Sequence, residues 1–225
     1  MRLLLLALVA VVHGHTDFFT IGVASGTDKV TGHAYHNMYN ALLHSKRLLP
    51  MKVLEIGLGC TMNSGSASIM LWQKYFANVD LWMADIDTKC ADEVQHTLPN
   101  PILIGDQSSP IDMQRWLNIS GGAFDLIVDD GSHNSGHQLA SFDFLFRQGL
   151  KPGGLYVIED IESIDTPMNQ LDTSSSRYKI MQWMHEFLKF PRSANVDLPH
   201  YLMMITCQRE ACAFHKCPLA EERCP

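Results

Sequence analysis

The stretch "LIVDDGSH", residues 126–133, joins an apolar run to two adjacent carboxylates, a Gly-Ser turn and a histidine. A second stretch, "LYVIED" at residues 155–160, also ends an apolar run in two acids. Continuous runs of apolar and β-branched residues are typical of strands that are buried on both faces of a parallel sheet. Ligands bind at the carboxyl ends of such strands. We therefore expect one crevice to carry Asp129, Asp130, Glu159 and Asp160.

The rest of the chain alternates apolar runs with amphipathic segments. Strand–helix–strand units of this kind form right-handed crossovers in a mostly parallel sheet. The fold class is predicted to be α/β, a doubly wound, Rossmann-like, seven-stranded sheet with a closing antiparallel strand. The predicted strands are "MKVLEIGLG", "NVDLWMADID", "PILIGDQ", "AFDLIVDDG", "GGLYVIEDI", "HYLMMITCQ" and "ACAFHK". Helices are predicted within 29–49 and at 66–76, 89–97, 111–118, 137–148 and 178–190.

Length and charge limit the classes of function. A chain of 225 residues is compatible with a single domain that has a large core. The formal net charge of −7 argues against nucleic acid or an anionic membrane surface as the main partner. A small-molecule ligand is the better expectation.

The first residues have the layout of a secretory signal peptide. One basic residue precedes the apolar segment Leu3–Val12, and small residues follow near Gly14. Ten apolar residues are too few to span a bilayer, which needs about 20. We predict a signal peptide at 1–15, no stable membrane insertion, and a location outside the cell or in the secretory-pathway lumen. The alternative is a buried N-terminal helix.

Six cysteines follow the leader, and four of them lie at or after residue 207. In an oxidising compartment an even number of cysteines favours disulfides. We expect two bridges among the last four, in a cysteine-rich tail at 207–225, in preference to bridges at Cys60 or Cys90. A zinc site is the alternative, although the spacing lacks a paired C-x2-C. The bridge-forming candidates are Cys207, Cys212, Cys217 and Cys224.

Residues after the first three strands predict a nucleoside-type ligand. Gly57 and Gly59 would let the backbone approach it, whereas Met62 replaces the third glycine of a dinucleotide motif. Asp85 could accept hydrogen bonds from both ribose hydroxyls, and Asp106 could meet an adenine amine. This arrangement resembles the class I S-adenosylmethionine-dependent methyltransferases. The expected cofactor-binding residues are Glu55, Gly57, Gly59, Asp85, Asp106, Gln107 and Asp129.

A closer resemblance extends over about residues 26–161. The blocks "SGTDKVTGHAYHNMY", "FDLIVDDGSH" and "GGLYVIEDI" are similar to the macrocin and mycinamicin type of sugar O-methyltransferase. That resemblance implies a methyltransferase domain at 16–206, S-adenosylmethionine and Mg²⁺ or Mn²⁺ as cofactors, and a sugar hydroxyl as methyl acceptor. It also implies Asp130, Glu159 and Asp160 as metal ligands and His133 as the catalytic base.

The residue types agree with this chemistry. Carboxylates around one crevice repel each other unless a cation lies among them, and a hard ion such as Mg²⁺ prefers oxygen ligands. An imidazole such as His133 can accept a proton from the acceptor hydroxyl. Successive strand residues point to opposite faces, so Asp129 is expected either to face the cofactor or to brace the loop.

The predicted function is transfer of a methyl group from S-adenosylmethionine to a hydroxyl of a sugar or another small molecule, with a divalent metal. A hydroxylated acceptor such as a glycoside is the expected partner, and homo-oligomerisation stays open. Two alternatives remain. One is a secreted, non-catalytic binding protein on the same fold, and the other is a metal-dependent hydroxylase of the cephalosporin-modifying type.

Overall fold

A computed structural model describes residues 17–60, 66–161, 176–187 and 201–218 of the chain. These residues form a seven-stranded sheet in the order β3-β2-β1-β4-β5-β7-β6. β1 to β5 pair in parallel, whereas β7 runs antiparallel to both β5 and β6. The predicted fold class is confirmed. The strands are Pro50–Ile56 (β1), Asn78–Asp85 (β2), Leu103–Ile104 (β3), Phe124–Asp129 (β4), Leu150–Ile158 (β5), Leu202–Cys207 (β6) and Cys212–Lys216 (β7).

Helices cover both faces of this sheet. Within the described ranges they are Phe18–Ser25 (α1), Asp28–Thr31 (α2), His36–Leu43 (α3), Ala67–Tyr75 (α4), Thr88–Val94 (α5), Pro110–Ser120 (α6), Ser135–Gln148 (α7) and Ser176–Phe187 (α8). Short 3-10 turns follow α3 and α5. The N-terminal part differs from the prediction, because the single helix expected within 29–49 is divided and α1 precedes it.

Side-chain alternation along the strands separates two hydrophobic cores. Val53 of β1 packs in the core that contains the aromatic residues of α1, α3 and α4. Its neighbour Leu54 packs in the other core, beneath α6, α7 and α8. The aromatic packing on the first face includes Phe18, which stacks on Tyr39 at 4.8 Å. The N-terminal helices are therefore fixed to the sheet next to the carboxyl end of β1.

The C-terminal strands β6 and β7 are those predicted at "HYLMMITCQ" and "ACAFHK". β7 lies between β5 and β6, and its Phe214 is fully buried, so the described part of the cysteine-rich region 207–225 contributes to the core. Cys207 and Cys212 are bonded to each other across the β6–β7 hairpin, as the clustering of cysteines predicted. Cys217 is also disulfide-bonded, while Cys224 lies outside the described residues.

A further disulfide forms at the two cysteines for which the sequence made a bridge the less favoured expectation. Cys60 and Cys90 are joined, with their Cα atoms 5.9 Å apart. The bridge links the loop after β1 to α5. The predicted signal peptide at 1–15 lies outside the described residues. Among the helices that the structure describes, none has the length and apolar character needed to cross a bilayer.

Candidate active site

A crevice of about 660 Å³ lies at the carboxyl ends of the parallel strands. It is lined by the loops after β1, β2, β3 and β4, by the end of β5, and by the segment between α1 and α3. The structure brings most of the predicted site residues together here. Those that line the crevice are Gly57, Gly59, Asp85, Asp106, Gln107, Asp130, His133 and Asp160.

The loop after β1 needs glycine for a steric reason. Gly57 has a φ of 101°, which L side chains rarely adopt. A Cβ atom at this position would lie 2.1 Å from the backbone oxygen of Asp130. The backbone nitrogen of Asp130 donates a hydrogen bond to the oxygen of Ile56 at 3.0 Å. The ends of β1 and β4 are thus in direct contact beneath the crevice.

Asp85 joins two loops of the cofactor side. Its Oδ2 atom accepts a hydrogen bond from the backbone nitrogen of Leu58 at 2.8 Å, and its Oδ1 atom accepts one from that of Asp87 at 2.8 Å. A carboxylate has about four acceptor positions, so two remain after these bonds. Asp85 therefore holds the loop after β1 and still presents acceptors to the crevice.

Asp106 is held by its own loop. One carboxylate oxygen accepts hydrogen bonds from the backbone nitrogen and the hydroxyl of Ser108, both at 2.7 Å. Donation by the Ser108 backbone N–H is the main cause that lowers the pKa of Asp106. Asp106 is therefore charged at neutral pH and faces the crevice.

Asp129 braces the loop after β4 from behind, which is one of the two roles expected of it. Its side chain is fully buried and does not line the crevice. It accepts hydrogen bonds from Gln107 at 2.9 Å, from Tyr156 at 3.2 Å and from the hydroxyl of Ser141. Burial raises the pKa of Asp129. Gln107 in turn accepts from the backbone nitrogen of Ser132 at 2.8 Å, so this network holds the loop after β4.

Glu55 also points away from the crevice, contrary to its predicted role in cofactor binding. It is fully buried and accepts a hydrogen bond from the indole nitrogen of Trp72 at 2.7 Å. Its other oxygen lies 3.0 Å from the ammonium of Lys29. Glu55 is therefore part of the core behind the glycine loop.

A buried ammonium lies among the acids. Lys29 Nζ is 2.6 Å from Asp130 Oδ2 and 2.5 Å from Glu159 Oε2, in addition to its contact with Glu55. The hydroxyl of Tyr39 donates to the other oxygen of Glu159. Glu159 is only 1% exposed and does not line the crevice. The structure thus separates Glu159 from the other two predicted metal ligands.

The charges in this cluster affect each other's proton affinity. Burial alone would lower the pKa of Lys29, but the carboxylates of Asp130, Glu159 and Glu55 raise it well above its usual value. Burial raises the pKa of Glu159 well above its usual value and also raises that of Glu55, although the ammonium acts in the opposite direction. Lys29 is therefore charged and cannot serve as a proton acceptor.

Three side chains converge on the crevice side of this cluster. Asp130, His133 and Asp160 each offer a ligand atom, and these atoms lie within 4.8 Å of one another. His133 Nδ1 is 3.6 Å from Asp160 Oδ2. Both residues have a left-handed backbone, with φ of 55° for His133 and 51° for Asp160. Non-glycine residues in this conformation are strained, and such strain clusters at functional sites.

The N-terminal segment also places polar side chains against Asp160. The hydroxyl of Tyr35 donates to Asp160 Oδ1 at 2.6 Å, and His33 stacks on Tyr35 at 5.0 Å. His33 Nδ1 lies 2.8 Å from Glu210 Oε2 and 3.5 Å from Asp160 Oδ1. Burial opposes protonation of His33, but its hydrogen bond with Glu210 raises the pKa overall. In the sequence, the signal for these residues was the block "SGTDKVTGHAYHNMY", which contains His33, Tyr35 and also Lys29.

Known proteins with similar sequences act on sugars. The chain is 34% identical over 153 residues to the 8-demethyl-8-alpha-L-rhamnosyl tetracenomycin-C 2'-O-methyltransferase of Streptomyces olivaceus, an alignment that covers 67% of this chain and 39% of that protein. It is 34% identical over 131 residues to the demethylmacrocin O-methyltransferase of Streptomyces fradiae, covering 57% and 32%. The homologues of this chain are sugar O-methyltransferases. The chain spans 39% and 32% of the length of these two relatives, and no family model matches it.

Solved structures agree with the fold. The MycE methyltransferase from the mycinamycin biosynthetic pathway, in complex with Mg, SAH and mycinamycin VI, aligns with a TM-score of 0.74 at 24% identity. The alignment covers 93% of this chain and 57% of that one. Another crystal form of MycE with Mg and SAH aligns with a TM-score of 0.72 at 26% identity, covering 89% and 53%. The mostly parallel sheet with its antiparallel closing strand is thus a methyltransferase fold.

Proposed function

We propose that this chain is an O-methyltransferase that transfers a methyl group from S-adenosylmethionine to a hydroxyl of a sugar or another small molecule, with a divalent metal. The observation that carries the proposal is the crevice itself. On one side of the crevice, Gly57 and Gly59 leave room for a cofactor next to the backbone. On the other side, possible metal-ligand atoms of Asp130, His133 and Asp160 lie close together. The sugar O-methyltransferase homologues support the reaction class.

The cofactor would lie across the ends of β1, β2 and β3. Gly57 and Gly59 leave room for it next to the backbone, and Asp85 offers acceptors for the ribose hydroxyls. Asp106, charged and on the next loop, is placed to accept from the adenine amine, and Gln107 lines the same wall. The sheet order β3-β2-β1 supports this orientation, because it places the three strand ends side by side along the crevice.

The residues on the acid side fit a hard divalent ion. Asp130 and Asp160 supply carboxylate oxygens that face the crevice, and Mg²⁺ prefers such ligands. We propose these two as the principal ligands. The resemblance to the macrolide sugar enzymes implies Glu159 as a third ligand, but its oxygens contact Lys29 and Tyr39. Glu159 would bind the ion only if Lys29 released it.

His133 would act as the general base. When bound, the ion would lower the pKa of a hydroxyl placed beside it. His133 is adjacent to both proposed ligands and lines the crevice, so its imidazole is placed to take the proton. Asp160, 3.6 Å from Nδ1, would orient the ring and stabilise its protonated form. Tyr35 would fix Asp160 through its 2.6 Å hydrogen bond.

We also propose that the chain works in the secretory pathway or outside the cell, with residues 1–15 as a cleaved signal peptide. The disulfides Cys60–Cys90 and Cys207–Cys212 support an oxidising compartment. Mass measurement of the secreted chain tests this. A mature protein that begins near His15 is expected, and a retained Met1 would contradict it.

The decisive experiment measures transfer of labelled methyl groups from S-adenosylmethionine to a panel of glycosides and other hydroxylated acceptors. Product should form with Mg²⁺ or Mn²⁺ and be lost in a chelator, and Asp160→Asn should be nearly inactive. Calorimetry with S-adenosylhomocysteine should show binding to both the wild type and Asp160→Asn. Cofactor binding without transfer to any acceptor would favour a non-catalytic binding protein, and failure to bind the cofactor would refute the proposal.

A further inference from the structure

Lys29 lies at the meeting point of three neighbouring strands. It belongs to the short helix α2, and its side chain is 1% exposed. Its three carboxylate partners are at or just after the ends of β1, β4 and β5, which are adjacent in the sheet. One ammonium therefore connects the N-terminal segment to three strand ends at once.

The charges of this cluster explain why a cation is needed there. Glu55 and Glu159 are at most 1% exposed, and Asp130 is 23% exposed. Buried carboxylates that lose their partner are strongly destabilising, because neither water nor a counter-ion compensates them. Asp130 differs from the other two, since it contacts Lys29 and also lines the crevice.

We propose that Lys29 is a positioning residue that acts as an internal cation and divides the acid cluster into two parts. The inner part, Glu55 and Glu159, contacts the ammonium and does not line the crevice. The outer part, Asp130 and Asp160, lines the crevice and would bind a divalent ion there, and Asp130 also contacts the ammonium. The assignment of the outer part rests on the proposed function, whereas the role of Lys29 in holding the inner part does not.

The first test compares two buried lysines. Lys216 is also buried, but its ammonium donates to the backbone oxygens of Arg147 at 2.9 Å and Leu150 at 2.6 Å. Lys29→Met should lower the Tm of the metal-free protein by about 10 °C or more, the effect expected when a buried ion pair loses one partner. The Tm of Lys216→Met is the reference for a buried lysine that has no carboxylate partner among the described residues.

The second test removes the charge of Glu159, which has lost its partner in Lys29→Met. Adding Glu159→Gln to Lys29→Met should recover at least half of the lost Tm, because the amide has no charge to compensate. Adding the same Glu159→Gln change to Lys216→Met should give no recovery. If Lys29→Met alone does not fold, the double variant should still fold, which keeps the comparison measurable. No recovery, or equal recovery on both backgrounds, would overturn the role of Lys29.

The third test uses Mn²⁺ alone as the probe, and follows Tm. Mn²⁺ should raise the Tm of Lys29→Met by more than it raises that of the wild type or of Lys216→Met, because the ion can then compensate the inner carboxylates as well. Equal shifts in all three would overturn the division of the cluster. If no protein responds to Mn²⁺, the metal part of the proposed function fails, and the Glu159→Gln recovery still decides whether Lys29 is the internal cation.

Discussion

The two sides of the crevice are held together by contacts of different range. On the cofactor side, carboxylates mostly bind nearby backbone. Asp85 accepts from the nitrogen of Asp87 and Asp106 accepts from that of Ser108, each two residues away. On the acid side, Lys29 contacts Asp130 and Glu159 over 101 and 130 residues of sequence.

This difference has a functional consequence. The cofactor side is shaped by turns that form within the sheet domain, whereas the acid side depends on docking of the N-terminal helices. Changes on the acid side should therefore alter metal binding and turnover while they leave cofactor affinity nearly unchanged. Changes on the cofactor side should lower cofactor affinity while they leave metal binding nearly unchanged.

The largest effect is expected at His133. His133→Ala should lower turnover by about 10²- to 10⁴-fold, the usual contribution of a positioned general base. Affinity for S-adenosylhomocysteine should stay the same, which calorimetry can show. His137, whose Nδ1 lies 3.0 Å from the hydroxyl of Ser132, provides the control, and His137→Ala should be much less impaired. A parallel loss of Mn²⁺ affinity in His133→Ala would identify the imidazole as a ligand instead of a base.

The disulfides should differ in their contribution to stability. Cys60–Cys90 closes a sequence separation of 30 residues, whereas Cys207–Cys212 closes one of 5 within a hairpin. Loop-closure entropy predicts about 3.5 kcal/mol for the first and about 2 kcal/mol for the second. Paired Cys→Ser variants measured by urea unfolding test this order.

Only the Cys60–Cys90 bridge should also affect the cofactor, because both cysteines line the crevice. Its Cys→Ser pair should weaken binding of S-adenosylhomocysteine, and the hairpin pair should not. Unchanged binding in both variants would show that the loop after β1 keeps its shape without the bridge.

Substitution of the adjacent acids Glu159 and Asp160 should distinguish their roles on the acid side. Asp160→Asn should weaken Mn²⁺ binding by up to about 100-fold, because it removes a charged group at the metal site. Glu159→Gln should weaken it by less, and should mainly lower Tm because Lys29 loses a partner. Metal titration and thermal unfolding of both variants provide the comparison. A larger loss of Mn²⁺ affinity in Glu159→Gln would restore Glu159 to the ligand set.

On the cofactor side, Asp85→Ala should reduce affinity for S-adenosylhomocysteine by about 2 kcal/mol, through the loss of charged hydrogen bonds. The change also frees the backbone nitrogen of Leu58, so Asp85→Asn is the matched control that keeps the shape of the side chain. Mn²⁺ affinity should not change in either variant. Full cofactor affinity in Asp85→Ala would place the ribose elsewhere.

The smallest effect concerns the pH dependence of Asp106. Its pKa is lowered from 3.8, first by the backbone N–H of Ser108. A carboxyl with a lowered folded pKa contributes stability above its ordinary pKa, and this contribution is lost as the pH falls through the folded value. Asp106→Asn should therefore be slightly less stable than the wild type at neutral pH and equally stable well below pH 3.8. Unfolding curves at both pH values test this, and a difference that persists in acid would contradict it.

Much of the site could be predicted because its signals are local. A continuous apolar run that ends in acids, as at 126–133, defines both a buried strand and the edge at which it ends. Gly57 follows from the need for close backbone approach, and the acids after β2 and β3 follow from their positions at strand ends. These features need only a few neighbouring residues, and the sequence determined them.

The tertiary structure decided which acids face the ligand. Glu55, Asp129 and Glu159 carry the same carboxyl group as Asp130 and Asp160, yet they are buried against Trp72, Gln107 and Lys29. Strand alternation places neighbouring side chains on opposite faces, but it does not say which element covers each face. Here the covering element is the N-terminal segment, whose lysine meets acids more than one hundred residues away. The position of β7 between β5 and β6 and the Cys60–Cys90 bridge were decided in the same way, because contacts between distant segments depend on how the whole chain packs.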